Sequence, residues 1–122
     1  MTEPQRHMLA CLDRALLSGG GTHEFSADVL PMLLDGRAQW WQRGDGVAIT
    51  ELRRHPKLLE LNCWLVAGNL RDCIALQPEI EDWARRQGAA RVVGIGRPGW
   101  ERVSRAMGFS PVGVALRRDL AP

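Results

Sequence analysis

The last third of the chain decides the fold. It reads Arg91-Val-Val-Gly-Ile-Gly96, then Arg97-Pro-Gly-Trp-Glu-Arg-Val-Ser-Arg-Ala-Met-Gly-Phe109, then Ser110-Pro-Val-Gly-Val-Ala-Leu116. Its apolar spacing predicts a buried strand over Arg91–Ile95, a helix over Pro98–Met107 and a final strand over Val112–Leu116. Gly108 is suited to follow the last helical turn, because glycine readily adopts a positive φ there. The stretch therefore predicts the order strand, helix, strand.

The residues upstream add helices and an antiparallel meander. Apolar residues at helical spacing predict a first helix over Pro4–Leu17, and Asp28 and Gly36 are suited to begin and end a second helix. A long helix is predicted over Leu70–Gln87, where Pro78 indicates a kink or a division into two shorter helices. The predicted strands of the meander are Arg37–Trp41, Val47–Leu52 and Leu58–Ala67, joined by turns at Gln42–Gly46 and Arg53–Pro56.

The complete order is α-α-β-β-β-α-β-α-β. The chain has 122 residues, the length of one domain, so we predict a single domain over residues 1–122. The long helix between the third and fourth strands implies a crossover that joins parallel strands. The predicted fold class is therefore α/β in the broad sense (α+β), with one mixed central sheet flanked by helices on both faces.

The charge of the chain is small overall but unevenly placed. The formal net charge is +2, yet eight arginines and two acidic residues lie between Trp83 and the C-terminus. Two interpretations stay open: a solvated arginine-rich surface, or a surface that faces the phosphates of a nucleotide cofactor or a nucleic acid.

Cysteine spacing and hydropathy exclude further classes. Cys11, Cys63 and Cys73 show no Cys-x-x-Cys spacing and lie apart from the histidines in sequence, so we predict neither a disulfide framework nor a metal site. No apolar run approaches the ~18 residues of a membrane span, and no signal-peptide pattern is present. We expect a soluble protein made in a reducing compartment.

This order of elements resembles the GCN5-related N-acetyltransferase (GNAT) fold from its first helices to its last strand. The strongest local match is Arg102-Val-Ser-Arg-Ala-Met-Gly-Phe109, because the family commonly ends a helix in Gly-Phe before a strand. The turn Arg97-Pro-Gly-Trp100 resembles an element of small GNAT-like proteins encoded in bacteriophage structural gene clusters. Gly-Phe is also an ordinary helix end with a hydrophobic anchor, and that alternative stays open.

The resemblance implies an acetyl-CoA site where the third strand meets the long helix. In GNAT enzymes a glycine-rich loop there presents backbone N–H groups to the pyrophosphate. In this chain the loop is shortened, and Asp72 adds a competing carboxylate that Arg71 can offset. The candidate cofactor-binding residues are Leu65, Val66, Ala67, Gly68, Asn69, Leu70 and Arg71.

The catalytic residues implied by the resemblance are incomplete. The frequent general acid of the family, a tyrosine, aligns with Ser104, and the chain contains no tyrosine. A serine hydroxyl is a poorer acid than a phenol, whose pKa is ~10. Glu51 and Glu60 on the predicted central strands are candidate general bases that could deprotonate an amine through a water. The alternative for each is an outward-facing strand residue, since alternation directs Glu60 away from Leu59 and Leu61.

Trp40 and Trp41 are adjacent on a predicted strand, so their side chains are expected on opposite faces. A buried tryptophan would be part of the core. An exposed one could anchor a partner or stack on a base.

Three functions are compatible with the sequence. The first is a phage-encoded GNAT-like protein, degenerate in catalysis, that acts as a virion-associated or accessory protein in the bacterial host cytoplasm or the virion, with other virion proteins as partners. The second is an active acetyl-CoA-dependent N-acetyltransferase of a small amine or a protein N-terminus. The third is a nucleic-acid binder, which is disfavoured because no recognised binding motif is present. No membrane partner is expected.

Overall fold

The computed structural model describes residues 2–18, 20–95 and 98–121. Within these ranges the chain forms one four-stranded mixed sheet with helices packed on both faces. The elements in chain order are α1 (Glu3–Ser18), a π-helical turn (Phe25–Val29), α2 (Leu30–Leu34), β1 (Gln39–Arg43), β2 (Gly46–Arg54), β3 (Leu59–Gly68), α3 (Leu70–Arg86), β4 (Arg91–Val93) and α4 (Pro98–Ala106).

The sheet has the order β1-β2-β3-β4. The first three strands are antiparallel neighbours, and β4 lies parallel to β3 with Glu60 beside Arg91 and Asn62 beside Val93. The predicted crossover through α3 is therefore confirmed, and so is the antiparallel meander.

Two apolar cores lie on opposite faces of the sheet, as alternation along β2 requires. Val47 and Ile49 point to the face covered by α1, which we call the α1 face. Ala48 between them points to the face covered by α3, which we call the α3 face. The buried residues that pack on the α1 face include Leu12, Leu16, Val29, Leu65 and Ala67, and those on the α3 face include Leu61, Leu76, Ile80 and Ala84.

One β-bulge interrupts the central pair of strands. Ile49 lies opposite Leu65 and the next residue, Thr50, lies opposite Cys63, so Trp64 is the extra residue of β3. Trp64 and Leu65 consequently both pack on the α1 face. A bulge bends its strand and leaves the local hydrogen-bond ladder disturbed, which is why bulges often lie beside functional sites.

Three local predictions differ from the structure. The second helix starts with the π-helical turn, so Asp28 is not its N-cap, although its carboxylate accepts a hydrogen bond from the Glu24 N–H at 2.8 Å. The predicted turn over residues 42–46 is shorter, because Arg43 still pairs with Gly46 and leaves two residues between the strands. The helix α3 is one element through Pro78, whose ring lies on its exposed side.

The end of the chain departs most from its predicted structure. The helix α4 ends as expected, with Gly108 at φ +93° and the Phe109 N–H bonded to the Ser104 carbonyl oxygen. The final strand predicted over Val112–Leu116 is absent, and Val112, Val114 and Leu116 are 95%, 86% and 91% exposed. Alternating apolar residues indicate a preference for extended structure, but a strand also needs a paired neighbour.

Replacing Gly46 with alanine is expected to lower the free energy of unfolding by about 1–3 kcal/mol. The added Cβ would lie 2.7 Å from the Asp72 Cβ and 2.8 Å from the Cys73 backbone nitrogen, so one of them must move. Urea denaturation followed by circular dichroism measures the change.

The matched control is Gly99→Ala, because a Cβ at Gly99 meets open space within α4. Alanine there should leave stability unchanged or raise it by up to about 1 kcal/mol. Equal stability of Gly46→Ala and the wild type would show that the β1–β2 turn does not pack closely against α3.

Candidate functional site

An opening beside the second half of β3 is the candidate site. Among the described residues, β4 pairs with β3 only from Glu60 to Asn62, and Gly94 then passes close to the Cys63 carbonyl oxygen. From Cys63 onward the side of β3 that faces away from β2 has no paired strand in the described ranges. The bulge at Trp64 lies at the start of this opening.

The opening ends at a very short junction between β3 and α3. Gly68 adopts a φ of +95°, which favours glycine, and Asn69 is the single residue between the two elements. The Asn69 side chain accepts a hydrogen bond from the Asp72 N–H at 3.2 Å and so caps the helix. The seven candidate cofactor-binding residues, Leu65 to Arg71, form the end of β3, the single connecting residue and the start of α3.

The β1–β2 turn packs directly on this junction. The Asn69 N–H donates to the Asp45 carbonyl oxygen at 2.9 Å, and the Asp45 N–H donates to the Asp72 carboxylate at 3.1 Å. A Cβ at Gly44 would lie 2.9 Å from an Asp72 carboxylate oxygen. The turn therefore holds Asp72 against the positive end of α3.

Groups of the protein itself occupy part of the place that a GNAT-type pyrophosphate would take. A phosphate bound at a helix start uses the N–H groups and the dipole of the first turn. Here the N–H groups of Asn69 and Asp72 already have protein partners, and the Asp72 carboxylate lies in that turn. A second anion would meet repulsion from this carboxylate.

An apolar groove lies next to the same junction. It has a volume of about 380 Å³ and is lined by Leu70 at the start of α3 and by Gly99, Trp100 and Val103 of α4. The groove is open to solvent, and its lining suits an apolar chain better than a charged group.

Glu60 is buried and ion-paired, contrary to the interpretation of it as an exposed strand residue. It is 6% exposed. Its Oε1 lies 2.8 Å from His55 Nε2, and its Oε2 lies 2.8 Å from Arg91 Nε. The hydrogen bond from His55 lowers the pKa of Glu60 most, and the hydrogen bond from Arg91 lowers it further. A carboxylate with a lowered pKa and both oxygens engaged is a weak general base.

Glu51 is better suited to accept a proton. It lies on the α1 face opposite Asn62, whose side-chain amide donates to Glu51 Oε1 at 3.0 Å. Arg53 also donates to Oε1, at 2.9 Å, whereas Oε2 has no hydrogen-bond partner among the described residues. The Glu51 side chain is 20% exposed. A half-buried carboxylate with one open oxygen can take a proton from a bound amine.

Ser104 is separated from both glutamates. It lies on α4, whose Val103 lines an open groove with Leu70 of α3. Met107, just beyond α4, lines a second groove with Ile74 and Pro78 of α3. Glu51 and Glu60 lie on the α1 face instead. Within the described residues no hydrogen bond or ion pair joins Ser104 to either carboxylate, so the three candidate catalytic residues do not form one cluster.

Several contributors to the site were not singled out from the sequence. His55, Asn62 and Arg91 surround the two glutamates, and Asp45 contacts the helix start. The hairpin register would have placed Asn62 opposite Glu51 and Arg53 opposite Glu60. No sequence signal indicated the contact between Asp45 and Asp72.

The two tryptophans of β1 point to opposite faces, as predicted. Trp40 is 39% exposed and meets Phe25 edge-on on the α1 face, with ring centroids 6.0 Å apart. Trp41 packs against Trp83 of α3 and donates from its ring nitrogen to the Thr50 hydroxyl. Trp41 is therefore part of the core, while Trp40 keeps an accessible surface.

Many arginines of the C-terminal half are paired with acidic residues. Arg91 pairs with Glu60, and Arg105 pairs with Glu101. Arg85 lies near Glu81 and Asp82, and Arg117 near Asp119. These pairs favour the interpretation of a solvated surface over that of a phosphate-binding face.

Cys63 and Cys73 are unsuited to nucleophilic catalysis. Burial raises the pKa of the Cys63 thiol to about 11, and burial also raises that of Cys73. In the described part of the chain no cluster of three metal-ligating side chains occurs. No described helix is both long and apolar enough to span a membrane.

Solved structures share this architecture. An acetyltransferase of Trypanosoma brucei superposes with a TM-score of 0.65 at 15% identity, over 91% of this chain and 94% of that chain. A transcriptional regulator from Bacillus halodurans C-125 gives 0.75 at 12% identity, over 98% and 96%. An aminoglycoside acetyltransferase from a soil metagenomic sample, in complex with sisomicin, gives 0.66 at 11% identity, over 97% and 90%.

The chain has the GNAT fold. The fold class predicted from the sequence is therefore confirmed. No protein-family model and no curated protein matches the chain. At such low identities the structural likeness shows the fold alone, because one fold serves many functions.

Glu60→Gln tests the ion pairs of the α1 face. Since the pKa of Glu60 is lowered in the folded protein, its charged form stabilises the fold above the unfolded value of ~4.3. That contribution is lost as the pH falls through the folded pKa. We expect Glu60→Gln to unfold more easily than the wild type at neutral pH, and the difference to shrink below about pH 4.

Urea denaturation at a series of pH values measures this difference. Glu79→Gln is the control, because Glu79 is exposed on α3 and should change stability little at any pH. A difference between Glu60→Gln and the wild type that stays constant down to about pH 2 would contradict the assignment.

Proposed function

We propose that this chain is a GNAT-like accessory protein that keeps the acetyltransferase scaffold and does not act through acetyl-CoA. The observation that carries this proposal is the junction of β3 and α3. Its connection is a single residue, and Asp72 with the β1–β2 turn occupies the helix start. The pyrophosphate of a CoA molecule would have to displace a carboxylate held by the protein itself.

The candidate catalytic residues support the same proposal. The chain has no tyrosine, and Ser104 lies apart from the glutamates. Both oxygens of Glu60 are engaged by His55 and Arg91. The chain therefore lacks the phenol that protonates a leaving thiolate in the family, and one of its two candidate bases is occupied.

The sequence supports a phage origin within this proposal. The element Arg97-Pro-Gly-Trp100 resembles small phage GNAT-like proteins, although Arg97 lies outside the described residues. The proposed partners are other virion proteins, and the proposed location is the host cytoplasm or the virion. The proposed unit is one domain over residues 1–122, since both cores share one sheet.

Isothermal titration calorimetry with acetyl-CoA tests this proposal. We expect no saturable binding up to millimolar acetyl-CoA, which corresponds to a binding free energy weaker than about −4 kcal/mol. CoA and adenosine 3′,5′-bisphosphate serve as comparison ligands that lack the thioester. Saturable micromolar binding of acetyl-CoA, weakened by salt, would contradict the proposal.

A second candidate function is acetyl transfer to a small amine or a protein N-terminus. The groove lined by Leu70, Trp100 and Val103 suits an apolar pantetheine arm, and Glu51 has an open carboxylate oxygen near the bulge at Trp64. One solved neighbour is an aminoglycoside acetyltransferase in complex with sisomicin. Positioning of the reactants alone can contribute much of the rate in such a reaction.

If the chain transfers acetyl groups, Glu51→Gln should lower kcat by roughly 10²-fold or more, because the amide cannot accept the amine proton. The assay is thiol release from acetyl-CoA with a panel of small amines and peptide N-termini. Glu79→Gln is the control and should keep wild-type activity. Unchanged kcat in Glu51→Gln would remove Glu51 as the base.

A further inference from the structure

Two adjacent loops at one end of the sheet are rich in basic residues. One joins β2 to β3 and the other joins α3 to β4. The Ala90 N–H donates to the Leu59 carbonyl oxygen at 2.8 Å, so the two loops lie side by side. We call residues 53–58 and 85–91 the basic end. It contains six arginine or lysine residues and no aspartate or glutamate.

Half of these cations have no acidic partner. The paired ones are Arg53 with Glu51, Arg85 with Glu81 and Asp82, and Arg91 with Glu60. Arg54, Lys57 and Arg86 are exposed and form no ion pair with any described residue. Their positive charge is therefore available to a ligand.

The opposite end of the sheet is balanced in charge. The β1–β2 turn and the first turn of α3 carry Arg43 and Arg71 together with Asp45 and Asp72. Because β3 has ten residues, the two ends are separated by roughly 30 Å. Binding at the basic end is therefore independent of whether the β3–α3 junction takes up acetyl-CoA.

The basic end is suited to a ligand that is recognised by its charge. The two grooves described above are lined by α3, α4 and Met107, and by no residue of the basic end. Arginine side chains bind phosphate oxygens through paired N–H groups. A phosphate-bearing polymer therefore fits this surface better than a peptide, whose specific binding depends on side chains held in pockets.

The aromatic residues near the basic end are already engaged. Trp83 packs edge-on against Trp41, and the His55 ring is bonded to Glu60. Proteins that bind single strands stack bases on accessible aromatic rings. Recognition of an RNA duplex also uses its 2′-hydroxyl groups. Contacts to phosphates alone are enough to hold a DNA duplex.

We propose that the basic end binds the phosphate backbone of double-stranded DNA without sequence preference, through Arg54, Lys57 and Arg86. Phosphate contacts position a protein on a duplex and carry no sequence information, so they need no recognised binding motif. The paired arginines are neutralised by carboxylates of the chain itself. The expected number of phosphate contacts is therefore that of the three free cations.

Fluorescence anisotropy of a labelled DNA duplex of mixed sequence, titrated with the full chain, tests this proposal. We expect binding that weakens as salt rises from about 50 to about 200 mM. The logarithm of the association constant should fall linearly with the logarithm of the salt concentration, with a slope of about −3 for three phosphates. A duplex of different sequence should bind equally well.

The triple variant Arg54→Gln, Lys57→Gln, Arg86→Gln should bind the duplex at least tenfold more weakly at about 50 mM salt, and each single variant should reduce the slope by about 1. Arg43→Gln is the matched control, because it removes an exposed arginine from the opposite end and should change neither affinity nor slope. Circular dichroism checks that the variants are folded, as their exposed positions predict.

Four results would overturn the proposal. The first is the absence of duplex binding at the lowest salt concentration. The second is binding that the triple variant leaves unchanged, since the contact would then lie elsewhere. The third is a poly-glutamate peptide that binds as tightly as the duplex, which would indicate an acidic protein segment as the ligand. The fourth is tighter binding of single-stranded DNA or of an RNA duplex of the same sequence.

Discussion

The close contact between the β1–β2 turn and the first turn of α3 constrains the rest of the structure. Because Asn69 alone connects β3 to α3, the helix must begin directly beyond the end of β3, next to the β1–β2 turn. The backbone atoms there approach too closely for a side chain at Gly46 or Gly68. This contact fixes the direction of α3, and with it the parallel return to β4.

The same contact decides what the helix start can bind. A helix N-terminus attracts any anion that reaches it. In this chain the anion is Asp72, held in place by the Asp45 N–H of the adjacent turn. A longer, glycine-rich connection would instead present free N–H groups to a phosphate. The length of one loop and the position of one carboxylate therefore separate two uses of the same fold.

The sequence predicted the architecture better than the site. Hydrophobic periodicity located the first helix, the three antiparallel strands, the long helix and its crossover, because each buries an apolar stripe. It failed over Val112–Leu116, since periodicity reports a preference for extended structure and not the presence of a paired neighbour. It also placed Glu60 on the correct face but missed its burial, which depends on Arg91, distant in sequence and adjacent in the sheet.

The polar cluster on the α1 face shows why such burial is tolerated. Beyond the apolar half of β3, Glu51 and Glu60 lie where a carboxylate without partners would be strongly destabilising. Asn62 and Arg53 hydrogen-bond to the first carboxylate, and His55 and Arg91 to the second. Removing a basic partner of Glu60 leaves its carboxylate buried with less compensation, whereas His55 and Arg91 are about half exposed and can be solvated when Glu60 is removed.

Stability and binding chemistry are carried by different residues in this fold. The buried residues of the two cores are leucines, isoleucines, valines and alanines on the two faces of the sheet. The junction residues Gly68, Asn69 and Leu70 are exposed and contribute little buried apolar area. Substitution or shortening at the junction can therefore change or abolish anion binding while the cores keep the scaffold folded. For this reason the fold of such a chain does not fix its activity, and the geometry of the junction has to be considered by itself.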